Sequence, residues 1–134
     1  MCMIDGAEPV QMLSEGYRKA RKEHKCSECR RPIRTGEAYY YERFKCEGDL
    51  NYHKTCAHCE VVRQWLSDEC GGWVYGGVEE DIREHAQEGY GWPILRLTVA
   101  MHNNWLRRDG SLRPVPAVPK TTHDIMREQG ANHV

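Results

Sequence analysis

Apolar side chains along this chain alternate between helical and strand-like spacing. Val10, Leu13, Tyr17 and Ala20 fall near one face behind Pro9, which suits a first helical turn; they predict a helix over residues 8–24, weakened by Gly16. From Ala38 to Cys46 the chain is rich in Tyr and Phe and reads as a strand. Glu47-Gly48-Asp49 supplies a turn, and Leu50 to Lys54 a return strand. Thr55 is placed to cap a helix that starts at Cys56 and carries Val61, Val62, Trp65 and Leu66. The glycine-rich turn from Cys70 to Gly77 follows. Val78, Ile82 and Ala86 then predict a helix over 78–87 that Gly89 closes. Pro93 opens another, with Ile94, Leu97, Met101 and Trp105 on one stripe and Arg107 and Arg108 at its negative end. Beyond Asp109 the pattern fails: Pro114, Pro116 and Pro119 give an extended segment, and Thr122 to Gln129 a short helix. Helical spacing places Trp65, Leu66, Val78, Ile82, Leu97 and Met101 in one shared core.

With 134 residues, 40% of them hydrophobic, the chain has room for one domain with a thin core, which a bound metal would help to hold. Its net charge of -1 excludes a global polyelectrolyte, but the charge is unevenly spread. Arg18, Lys19, Arg21, Lys22, Lys25, Arg30, Arg31 and Arg34 are opposed locally by Glu23 and Glu28 alone. Asp68, Glu69, Glu79, Glu80, Asp81, Glu84 and Glu88 face only Arg83. Two solvated faces are the simplest account of this. The sharper one is that one face docks a partner. No stretch approaches the ~20 apolar residues of a membrane span, and the first residues lack the pattern of a secretory signal. A cytoplasmic setting follows as an expectation, in which seven cysteines point to metal or free thiols in place of a disulfide framework.

The cysteine spacing carries the strongest chemical signal. Cys26-Ser-Glu-Cys29 and Cys56-Ala-His-Cys59 are two C-x2-C pairs flanking a hairpin. A pair in a tight knuckle turns both sulfurs to one side, and a pair in the first turn of a helix does the same. The helix N-terminus also favours thiolate over thiol. One structural Zn2+ held by Cys26, Cys29, Cys56 and Cys59 is the expectation. His58, between the helix cysteines, is expected to face away or to hydrogen-bond a sulfur. Cys46 and Cys70 read as small buried side chains, and Cys2 as a free terminal thiol.

The order knuckle, β-hairpin, helix resembles a treble-clef zinc finger over residues 24–67, as does the Pro32-Ile-Arg-Thr-Gly-Glu37 run after the knuckle. The fold class implied is a small α+β protein, a zinc-bound treble clef extended by C-terminal helices. Residues 1–23 form a helical N-terminal segment, 68–108 a helical extension packed on the module, and 109–134 a proline-rich flexible tail. His53-x2-Cys56 resembles the first finger of a LIM domain, which would substitute His53 for Cys59. That family needs a second set of cysteines, and only Cys70 follows Cys59. More broadly, Cys2 to Glu8, Arg18-Lys-Ala-Arg-Lys22, Lys54-Thr-Cys-Ala-His-Cys59 and the run from Cys70 to His85 resemble small phage and prophage proteins. This implies a phage setting and little chemistry.

Three function classes follow. As a protein binder, the chain would meet a bacterial host protein, including a defence complex, through Glu79, Glu80, Asp81 and Glu84, with Trp73 and Tyr75 as anchors. As a nucleic-acid binder, it would use Arg18, Lys19, Arg21, Lys22, Arg30 and Arg31, with Tyr39, Tyr40, Tyr41 and Phe44 stacking on bases. The third class is an HNH-like metal-dependent nuclease, for which the first hairpin strand lacks the needed His and Glu60 lacks a partner. No catalytic residues are assigned, and the chain is read as a non-enzyme.

Overall fold

The computed structural model describes residues 11–131. Two small sheets precede three packed helices. The first sheet has the order β1-β4-β5, formed by β1 (Gln11–Lys19), β4 (Ala38–Cys46) and β5 (Asp49–Cys56), all antiparallel. The second pairs β2 (His24–Lys25) with β3 (Pro32–Ile33). The helices are α1 (Ala57–Cys70), α2 (Val78–Gln87), α3 (Trp92–His102) and α4 (Thr122–Ala131). No helix among the described residues is long and apolar enough to cross a membrane.

The β4–β5 hairpin closes through Glu47 and Gly48, both at positive φ (53° and 81°). That is the two-residue turn whose twist matches its strands. The helix expected over 8–24 is instead β1 for residues 11–19, paired with β4 from Gln11↔Lys45 to Lys19↔Ala38. Its side chains are mostly exposed, so backbone pairing and not burial of one face decides its conformation. Residues 8–10 of that expected helix, and Cys2, lie outside the described residues.

Helices α1 and α2 match the spacing that predicted them, although the cap of α1 is Cys56 and not Thr55. The indole of Trp105 is buried as expected, but α3 stops at His102. Asn104 and Trp105 both take positive φ and turn the chain. Arg107 and Arg108 therefore leave the helix end for a tight hairpin in which Leu106 faces Leu112. The six residues expected to share a core do so, in one cluster with the four cysteines of the two pairs, Ile33, Tyr39 and Trp105. The expected flexible tail is tied down. His58 Nε2 donates to the Arg113 carbonyl (2.6 Å), Trp65 Nε1 donates to that of Lys120 (3.3 Å), and Thr121 is buried.

Candidate metal centre

Each cysteine of the cluster is positioned by local backbone chemistry. Between β2 and β3 the chain makes a knuckle: Arg30 N–H donates to the Cys26 carbonyl, Cys26 N–H to that of Arg31, and Arg30 sits at φ 66°. Ser27 N–H and Oγ both donate to the Lys54 carbonyl, which docks the knuckle on β5. The second pair straddles the start of α1. Cys56 has extended backbone, and its sulfur accepts from Cys59 N–H at 3.4 Å, so a metal ligand is also the helix cap.

The ligand atoms of Cys26, Cys29, Cys56 and Cys59 all lie within 4.8 Å of one another, and all four residues are buried. Sulfurs around a tetrahedral ion at ~2.3 Å would be about 3.8 Å apart. Cys29 and Cys56 sulfurs are 3.9 Å apart. The donor chemistry also calls for a cation. Hydrogen bonds from Cys29, Cys56 and Cys59 hold Cys26 far below the usual thiol range, whereas Cys26 and Cys29 push Cys56 up. Burial, with the other three sulfurs, pushes Cys59 up. Four sulfurs this close cannot all ionise alone, and a dication removes the conflict. The four cysteines can therefore coordinate a metal ion.

Groups around the sulfurs complete the site. Trp105 Nε1–H donates to the Cys59 sulfur (3.4 Å) and Cys56 N–H to that of Cys26 (3.3 Å). Arg31 is buried and forked onto Glu37 (2.8 and 3.1 Å). Burial opposes its charge, but Glu37, Cys56 and Cys29 more than restore it. Arg31 is thus unavailable to phosphates, which corrects its place in the expected nucleic-acid set. His58 lies between the Arg113 carbonyl and Arg31, and it also acts on the Cys56 sulfur, where it opposes the rise in pKa that Cys26 and Cys29 cause. The role of Trp105 has no signature in the sequence beyond its apolar spacing.

His53 is not in the cluster; it sits on β5 opposite Glu42, among aromatic rings. Its ring stacks on Phe44 (5.4 Å) and lies tilted against Tyr75 (4.5 Å), and its Nδ1 is buried without a hydrogen bond among the described residues. Burial, then Arg63, lowers its pKa. A depressed histidine contributes stability above its unfolded value, about 6.5, and that contribution fades as pH falls below it. His53→Phe should keep the stack and flatten the fall in melting temperature between about pH 7 and 5. An unchanged slope in a pH series of melts would reject this assignment.

Of the expected protein-binding anchors, Tyr75 is buried and Trp73 half-buried. Arg63 is almost wholly buried and bridges Glu28 (2.8 Å), Glu42 (2.7 Å) and Glu60 (2.7 Å). Trp73 lies under its guanidinium at 3.9 Å, and the Tyr75 hydroxyl donates to Glu42 at 2.6 Å. Tyr75 is therefore occupied, a correction that follows from a charge network invisible in sequence, whereas Trp73 keeps part of its ring in solvent. On α2, Glu79 lies near Arg83 and His102, and Asp81 contacts His85, whereas Glu80 and Glu84 are exposed without an ion pair among the described residues. Of the basic run, Arg18, Lys19, Arg21 and Lys22 line one concavity of about 1000 Å³ with His24 and Tyr39. Arg30 is exposed on the knuckle. Tyr39 and Phe44 are core, Tyr40 donates to Glu15, and Arg18 covers Tyr41 at 3.7 Å.

Cys70 is exposed, not buried, and pairs with a histidine. His85 Nδ1 donates to the Asp81 carbonyl (2.8 Å), leaving Nε2 to accept from the Cys70 thiol (2.9 Å). The order thiol, imidazole, carboxylate suits a nucleophile. Its electrostatics do not, because burial, then Asp81, Glu69 and Glu88, raise the thiol pKa, and the sulfur sits at the negative end of α1. Cys46 is buried beside Phe44 and Tyr75. Comparison with family models, curated proteins and solved structures finds no match to this chain.

Proposed function

We propose that this chain is a zinc-stabilised interaction protein, built on a treble-clef-like module and encoded by a phage, which binds a bacterial host protein and modulates or inhibits it. The observation that carries the reading is the closed donor set. Four buried thiolates fill a tetrahedral ion, leaving no position for substrate, so the metal organises a surface and performs no chemistry. The order of parts, knuckle then hairpin then α1, supports the treble-clef description. The phage setting, and with it the host cytosol, rests on the sequence resemblance alone. Elemental analysis should find one zinc per chain. Affinity capture from a bacterial lysate should return a stoichiometric partner that a Cys29→Ser variant no longer captures. A chain that holds no metal, or captures nothing, overturns the reading.

The basic concavity favours a second reading, nucleic-acid binding. Arg18, Lys19, Arg21 and Lys22 are exposed and make no ion pair among the described residues. Labelled DNA and RNA titrated at two salt concentrations decide it, because affinity built on phosphate contacts falls steeply with salt. Arg18→Glu with Arg21→Glu should abolish such binding and leave the fold intact.

A further inference from the structure

A groove of about 1650 Å³ lies between α3 and residues 113–120. Trp65 and Trp105 form its buried floor. Its walls carry apolar side chains that the fold leaves in solvent: Trp92 (68% exposed), Leu95 and Val99 on α3, Val118 opposite, and Ile125 on α4. Contiguous apolar surface of this kind marks an interaction site more often than it occurs by chance.

Two further observations specify the occupant. Residues 114–119 run without turn or bend and are fastened only at the flanking Arg113 and Lys120 carbonyls. Between those points the strap makes no backbone hydrogen bond among the described residues. Pro114, Pro116 and Pro119 lack N–H groups, so the strap offers an extended partner its carbonyls and the N–H groups of Val115, Ala117 and Val118, not a full strand edge. The second observation is charge. Arg96, Arg107 and Arg113 line the groove and make no ion pair among the described residues, whereas Lys120 is neutralised by Glu128. The one acid in the lining is Glu88.

We propose that this groove binds an extended acidic segment of a partner protein. Its apolar side chains sit over the Trp65 and Trp92 walls, and its carboxylates meet Arg96, Arg107 and Arg113. The proposal rests on the reading of the chain as an interaction protein and names the chemistry of what it meets. A second copy packed face to face would bring the same three arginines together, which opposes association. A nucleic-acid strand carries a charge at every step, whereas Leu95, Val99, Val118 and Ile125 between the cations offer phosphates nothing.

The test uses the full metal-loaded chain and two labelled synthetic peptides that share alternating Leu and Phe but carry either Glu or Lys between them. An oligo-dT strand of similar length is the third probe. Fluorescence anisotropy should show binding of the Glu peptide, and binding of the Lys peptide weaker by about tenfold or more. Arg107→Glu with Arg113→Glu, and separately Trp92→Ala, should each weaken the Glu peptide about tenfold with an unchanged melting temperature. Equal binding of the two peptides, binding of neither, tighter binding of oligo-dT, or a dimer in sedimentation that shields Trp92 overturns the proposal. If the variants still capture the parent's lysate partner, the groove is wrong and the interaction reading stands. If the parent captures nothing, that reading has itself failed.

Discussion

A strong chelator should abolish the cooperative thermal transition of this protein, and one equivalent of zinc should restore it. The expectation follows from where the sulfurs sit. Cys26, Cys29, Cys56 and Cys59 belong to the same buried cluster as Ile33, Tyr39, Val62, Trp65 and Trp105. An ion held there would join knuckle, hairpin and α1 at the centre of the core. Structural zinc contributes an apparent ~10–16 kcal/mol in small peptides, against about 5–15 kcal/mol for the net stability of a whole domain. Losing it leaves four sulfurs that oppose one another's ionisation in a site with no access to water. Cys56→Ser should behave like chelation, because it removes a ligand while its hydroxyl can still cap α1, so the loss reports on the metal site and not on the helix start. Circular dichroism with and without metal measures both, and a metal-free chain that melts as the loaded one does would show that packing alone holds this core.

The ligands were legible in the sequence because a C-x2-C pair encodes its geometry within four residues. Helices α1 and α2 were legible for a similar reason: their apolar spacing is local, and a tight turn or glycine ends each. Strand β1 was not. Val10, Leu13, Tyr17 and Ala20 carry a helical period, but β1 is set by its ladder to β4, which lies about 19 to 34 residues away, from Lys19↔Ala38 to Gln11↔Lys45. Gly16, which takes φ 153° within that strand, was the one local sign against a helix. Charge misled for the same reason. Arg31, Arg63, Glu28 and Glu42 look like surface residues until contacts from distant segments bury them. The fate of residues 113–121 depends on Trp65 and His58, neither of which announces a partner in the tail.

Arg63→Leu should cost about 3–5 kcal/mol at neutral pH, although leucine is the better hydrophobe. The guanidinium is the one cation among the described residues in contact with the carboxylates of Glu28, Glu42 and Glu60, and its removal strands charge in the interior. Burial already raises the Glu60 pKa even with Arg63 beside it. Without Arg63, carboxyls with raised folded pKa values bind protons more tightly folded than unfolded. The variant's stability should then rise as pH falls toward the ordinary carboxylate range, about 4.3, and decline as pH rises. In the parent, His53 gives the opposite slope. What the network secures is position more than net energy, because replacing a whole buried network with apolar groups is often neutral. Glu28 shows this most directly. It lies inside the knuckle, between two metal ligands, yet accepts from Gly76 N–H (3.0 Å) and Val78 N–H (3.4 Å) and so caps the start of α2. Glu28→Gln keeps one acceptor oxygen for Gly76 N–H and Arg63 but sets an NH2 against the longer Val78 bond and loses the charge, so its cost should still be smaller, about 1–3 kcal/mol. Urea titrations of both variants at two pH values measure the difference. Equal costs for the two, or an Arg63→Leu variant no more stable in acid than at neutral pH, would show that water reaches these carboxylates and that α2 is held by Val78 and Ile82 alone.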